Sequence, residues 1–179
     1  MVDILKSVYV SSTMQATLFS AISYILGRAV LALRDSNGFR MNIDYSALVR
    51  LISWSAIITP VGLLWQEKLD KSFPSTNPKT DTSDQYNIFI KVVLSETLFS
   101  IFVNSAFIAY ITYLDKGDWK FTMAKVRNDV PKLWISSVKV WPLVTYISFG
   151  FIPPQLRVTF TSIVGLLWGI YVNAFVIGK

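Results

Sequence analysis

One carboxylate stands out in this sequence because of where it lies. Glu96 falls inside the apolar run at roughly 88 to 113 and shares a helical face with Ser100 and Asn104, at spacings of four. Thr145 and Ser148 put two hydroxyls on one face of a later apolar run, and Arg28 sits towards the end of the first. An ionised carboxylate at that depth costs about 2.5–3.5 kcal/mol on insertion scales, so it must face water or a partner. Two readings follow. Either Arg28, Glu96, Ser100, Asn104, Thr145 and Ser148 form a polar, partly hydrated solute path with Glu96 and Arg28 setting selectivity, or they are an intramembrane network of packing contacts and ion pairs. Arg28, Arg50, Lys91 and Lys139 are the cations at comparable depth. Lys91 lies off the Glu96 face, which points to a partner on another helix.

Other chemistry is excluded by composition. The chain has no cysteine and no histidine, so thiol nucleophiles, imidazole bases, disulfides and zinc or haem sites built on those ligands are out. No nucleophile elbow or phosphate loop activates the serines and carboxylates, and neither an enzyme nor a cofactor is expected. The net charge of +6 does not form a solvated basic stripe; the cations flank apolar segments among Trp, Tyr and Phe, which speaks for a lipid interface and against nucleic acid.

The elements that must position these residues are membrane helices. Hydrophobic residues make up 53% of the chain and charged residues 16%, with a mean hydropathy of +0.47, whereas soluble domains carry about 25% charged residues. Helix-length apolar segments fall at roughly 12 to 33, 46 to 65, 88 to 113, 133 to 152 and 158 to 177, each near the ~20 residues that cross a bilayer. The expected fold is an all-α integral membrane bundle of four to five transmembrane helices in a single domain, the fourth segment being uncertain because of Lys139, Pro142, Pro153 and Pro154. The stretch at roughly 70 to 87 is rich in Pro, Ser, Thr and Asp without apolar period and is expected to be a mobile loop. The first segment outruns a signal-peptide core and no A-x-A-like site follows it, so it is expected to stay attached.

A further helix at roughly 118 to 130 differs in kind. Trp119, Met123, Val126, Val130 and Leu133 make one apolar stripe, Asp118 can cap the start, and Lys120, Lys125 and Arg127 lie off the stripe. This suits either an interfacial amphipathic helix with its cations on anionic headgroups or a helix packed on the protein's own loops. With five segments, Arg34, Arg40, Lys116, Lys120, Lys125, Arg127, Lys132 and Lys179 fall on one side, against Lys6, Lys68, Lys71, Lys79 and Arg157 on the other. The richer side is expected to face the cytoplasm or matrix. In the last segment Thr161, Gly165, Gly169 and Asn173 share a face, and the two glycines form the GxxxG pattern of close helix packing.

The segments "DYSALVRLISWSAIITPVGLLWQEKL" and "VKVWPLVTYISFGFIPPQLRVTFTSIVGLLWGIYV" resemble the Mpv-seventeen/peroxisomal-membrane-protein-twenty-two family of organelle membrane proteins. The matching residues are Asp44, Arg50, Pro60, Trp65 and Leu69, then Trp141, Pro142, Phe149, Pro153, Arg157, Trp168 and Tyr171. The resemblance implies a small multi-helix protein, usually of four spans, in the mitochondrial inner membrane or, second, the peroxisomal membrane, with members proposed as weakly selective channels. It also implies that Trp141, Pro142, Pro153 and Pro154 shape a corner and that Arg157 starts the last helix beside headgroups. Polar identities depart from the family: Arg28 stands in place of an aspartate, Ser95 and Glu96 in place of Asp-Gln, and Thr145 and Ser148 in place of glutamine and asparagine. The expected partners are anionic lipids and either further copies of the chain or a larger inner-membrane complex, in which it would be an accessory subunit.

Overall fold

Aspartates cap the first turns of three helices. The computed structural model describes residues 2–34, 41–76 and 84–171, with side chains from residue 9 and without that of Arg34. Six helices result: α1 Val2–Arg34, α2 Tyr45–Ser72, α3 Gln85–Lys116, α4 Trp119–Ser137, α5 Trp141–Phe151 and α6 Pro154–Tyr171. Asp44 caps α2, its carboxylate accepting from the amides of Ser46 and Ala47 at 2.9 and 3.1 Å. Asp84 caps α3 through the Asn87 amide at 3.0 Å, and Asp118 caps α4 through the amides of Lys120 and Phe121. Each carboxylate takes up amides that have no partner within the helix.

The all-α class is as expected, and among the described residues three helices are long and apolar enough to cross a membrane, Tyr9–Leu33, Tyr45–Ser72 and Gln85–Lys116. The segment 133 to 152 is not one helix. Its first residues close α4, a turn follows Ser137, and α5 restarts at Trp141 with Pro142 in its first turn. Proline is favoured there because its missing N–H would have no helical partner. At 11 residues, α5 is roughly 16 Å long, about half the hydrocarbon thickness. It ends at Ile152, extended at φ −96°, ψ 125°, as the residue before a proline prefers. α6 covers the start of the segment at 158 to 177. Its end at 172 to 177, with Asn173, the middle of the loop at 77–83, and the side chains of Lys6, Arg34, Arg40, Lys79 and Lys179 lie outside the described residues.

The chain separates into two compact units, Met1–Pro60 with Val158–Lys179, and Val61–Arg157. In the first, hydroxyls bond backbone carbonyls. Thr13 and Thr17 donate to the carbonyls four residues back at 2.7 Å each, Ser20 donates to Leu51 O at 3.4 Å and Ser23 to Leu166 O at 3.0 Å. The Tyr24 hydroxyl holds both the amide and the carbonyl of Asp44 at 3.1 Å.

In the second unit α3 turns into α4 through Gly117, whose φ of +66° suits a residue without Cβ, and α4 packs back along α3. Val130 and Leu133 of the expected stripe are buried, joined by Thr122 and Ser137, while Trp119 and Met123 are exposed. Helix α4 thus belongs to a helical hairpin, packed on α3 rather than on loops, with Lys120, Lys125 and Arg127 exposed. Leu69, Ile88 and Phe149 form the core of this unit, packed by Trp65, Phe73, Leu94 and Tyr146.

Of the two glycines in the GxxxG pattern, only Gly169 is tightly packed: a Cβ there would run into the Ser23 side chain, whereas at Gly165 it would meet nothing within 4 Å. Gly169→Ala should lower stability by about 1–3 kcal/mol, the usual cost of overpacking. Gly165→Ala should be neutral or better. Ser23→Ala in the Gly169→Ala background should recover part of the loss, read by unfolding in detergent micelles.

Candidate functional site

Two polar clusters lie within the unit Val61–Arg157. The first is built on Asp70, near the end of α2. One carboxylate oxygen takes the Lys91 ammonium of α3 at 2.7 Å, and the other takes the guanidinium of Arg157, from the first turn of α6. Lys91 is 0% exposed and Arg157 5%. Both cations lie over the Phe149 ring of α5, at 4.4 and 4.9 Å from its centroid, where the ring's negative face offsets part of their lost hydration. Lys91 also donates to Ser75 Oγ, and Arg157 Nε donates to the Ile152 carbonyl at 3.1 Å, tying down the chain at Pro153 and Pro154. Arg157 thus starts the last helix, with its guanidinium buried and neutralised by Asp70 at the corner.

The second cluster is built on Glu96. A π-helical turn, Ser95–Phe99, interrupts α3 there, and such widened turns occur frequently at functional sites. Glu96 is 8% exposed. Its Oε1 accepts from Thr145 Oγ1 of α5 at 2.9 Å, its backbone carbonyl accepts from the Trp134 indole of α4 at 2.7 Å, and Ser95 Oγ accepts from the Trp65 indole at 3.2 Å. Oε2 is buried without a hydrogen-bond partner, and no cation lies within ion-pair distance of Glu96 among the described residues. An unmatched buried acceptor costs about 1–3 kcal/mol.

The expected path residues divide. Glu96 and Thr145 are joined directly. Asn104 bonds Ser100 at 3.2 Å on the same helix, and Ser148 is buried on α5. Arg28 belongs to the other unit, where its guanidinium donates to the Asn42 carbonyl at 2.7 Å. The resemblance residues Asp44 and Arg50 are there too, Asp44 as the α2 cap and Arg50 donating to Ser46 Oγ at 2.8 Å. Pro60 lies inside α2, Trp65 stacks on Phe99 at 5.2 Å, Trp141 and Pro142 open α5, and Trp168 meets Tyr171 at 5.4 Å. Asp70 and Lys91 as a pair, Ser75 and Trp134 were not anticipated. Lys91 lies inside an apolar run and needs a counter-charge, which was a usable signal; Asp70 in "EKLDKS" reads as the edge of a loop.

Removing one member of a buried charge cluster leaves the others uncompensated. Asp70 is 30% exposed, so Asp70→Ala should cost about 3 kcal/mol, the lower end of the range for buried pairs. Lys71 and Glu67, an exposed pair one helical turn apart on α2, give the contrast: Glu67→Gln should change stability by less than about 0.5 kcal/mol. Chemical denaturation of the two variants in the same detergent checks both figures.

The sequence model of the Mpv17 / PMP22 family matches residues 112–173, from the end of α3 into α6. PXMP2/4 family protein 3 of Dictyostelium discoideum is 33% identical over 134 residues, covering 75% of this chain and 69% of that protein. Mitochondrial inner membrane protein Mpv17 of Caenorhabditis briggsae is 24% identical over 73% of this chain and 68% of its own length. Peroxisomal membrane protein PMP22 of Arabidopsis thaliana is 24% identical over 70% and 64%. The matches thus span about two thirds of these relatives' lengths. No solved structure matches the chain. The matched C-terminal region contains the proline corner, Phe149 and Arg157, and the chain belongs to the Mpv17 / PMP22 family of membrane proteins.

Proposed function

We propose that this chain is a non-enzymatic organelle membrane protein that lets small solutes or protons pass, alone or as a homo-oligomer, beside Glu96. The observation that carries this reading is the buried Oε2 of Glu96 in a π-helical turn. A carboxylate kept only for stability would have both oxygens matched. Here Thr145 holds one oxygen and the other is left to take a proton, a small cation or a donor group on a solute. Ser148 on α5 and Ser100 and Asn104 on α3 supply further polar groups on the same two helices.

The mitochondrial inner membrane is the favoured location and the peroxisomal membrane the second, in line with the names of the Caenorhabditis and Arabidopsis relatives. The exposed cations of α4, Lys120, Lys125 and Arg127, suit anionic headgroups where that hairpin leaves the bilayer: α3, at 32 residues, is roughly 48 Å long and exceeds the ~30 Å hydrocarbon core.

Conductance of the purified protein in liposomes tests the reading. Glu96→Ala should abolish it while helical content and micelle size stay unchanged, and Glu96→Gln should alter its ion selectivity. Silent liposomes, together with stoichiometric migration of the native protein in a much larger complex, would replace the path with an accessory-subunit role.

A further inference from the structure

Between the C-terminal half of α2 and α3 runs an apolar groove of about 360 Å³. Its lining includes Leu64, Trp65, Leu98, Phe99 and Phe102, with Lys68 at the end nearest the α2 C-terminus. Trp65 and Phe99 are half-buried and stack at 5.2 Å with their planes 6° apart. The Trp65 indole already donates to Ser95 Oγ at 3.2 Å, so these rings present carbon surface rather than a spare donor. Leu64, Leu98 and Phe102 are exposed and flank them.

Lys68 is the one charged residue in the lining. Its ammonium has no carboxylate within ion-pair range among the described residues, although Lys71 has Glu67 and Lys91 has Asp70. The Asp70–Lys91 pair sets this part of α2 level with the first turns of α3, beside the polar loop that connects two helices long and apolar enough to cross a membrane. Phe102 is 11 residues beyond Lys91, roughly 16 Å deeper along the axis. The groove therefore descends from a lone cation at headgroup level into the hydrocarbon, with no other charged group along it.

We propose that this groove binds one acyl chain of an anionic phospholipid, with the lipid phosphate on Lys68 and the chain against Trp65 and Phe99. An elongated carbon-lined slot with a cation at its mouth matches a lipid in both polarity and direction. A zwitterionic headgroup brings its own cation towards Lys68, whereas an anionic one does not. The site adjoins the Glu96 turn through the Trp65–Ser95 hydrogen bond, but its lining does not include Glu96 or Thr145 and it does not depend on the permeation reading.

Quenching of Trp65 by brominated lipids tests it in the full-length protein reconstituted in phosphatidylcholine vesicles. Subtracting the Trp65→Phe signal isolates that residue from the other tryptophans. Brominated phosphatidylglycerol should quench Trp65 at about fivefold lower mole fraction than brominated phosphatidylcholine, the preference expected from a single cation near the surface. Lys68→Gln should erase this preference and Lys68→Arg retain it. Equal quenching by the two lipids, or a preference unchanged in Lys68→Gln, would overturn the proposal; quenching by a brominated fatty acid alone would assign the groove to free carboxylates instead. Should Trp65→Phe fail to fold, native mass spectrometry of the wild type and Lys68→Gln decides the matter. The wild type should retain a phosphatidylglycerol that the variant loses, and equal retention refutes the site.

Discussion

A charge taken into lipid must be matched, and the Asp70 carboxylate does this twice. It neutralises Lys91 and Arg157, both almost fully buried, and these three residues come from α2, α3 and the first turn of α6. Phe149 adds α5 by lying beneath both cations. Around this point sit the core residues Leu69 and Ile88. The proline corner is held by the same arginine, through the Ile152 carbonyl. Hydrophobic contact alone is a weak glue between helices in a bilayer, because lipid tails are as apolar as leucine. Polar contacts with one geometry supply the register that such contact lacks.

The same demand for matched polar groups explains how so many hydroxyls are accommodated in apolar helices. Thr13, Thr17, Ser53, Thr59 and Thr97 each bond the carbonyl four residues earlier, so they are satisfied within their own helix. Ser23 reaches across to Leu166 O at the place where Gly169 lets the backbone come close. Against this background the unmatched Oε2 of Glu96 is an exception, and it coincides with the one π-helical turn of α3. A departure from local regularity thus coincides with an unmatched acceptor, and such widened turns occur frequently at functional sites.

Charge is also distributed by depth. Lys68, Asp70, Lys71, Lys91 and Arg157 share one end of α2 and the neighbouring helix ends, and all but Lys68 are in ion pairs among the described residues. Glu96 lies further along α3, and the exposed cations of α4 are carried on the first half of the helix that folds back from the far end of α3. Among the described residues the unit thus carries a salt-bridge level, an apolar groove that starts near it, and Glu96 within the apolar run of α3.

Much of the architecture was legible in the residues. The all-α class and the three long apolar helices follow from segment length and composition, because a backbone in hydrocarbon must satisfy its own hydrogen bonds and a helix is the local way to do so. Asp118 as a cap and the corner at Pro153 and Pro154 are likewise local effects of side-chain reach and ring geometry. The tertiary structure decided what periodicity cannot express. It separated α4 from α5 within the segment 133 to 152, because α4 finds its burial along α3 and the chain turns where that contact ends. It gave Lys91 and Arg157 the same carboxylate, although Asp70 is distant from both in sequence, and it gave Glu96 a threonine rather than a cation. Helical spacing tells which residues share a face, but which faces meet depends on packing among segments far apart in the chain, and partnership between buried charges is settled only there.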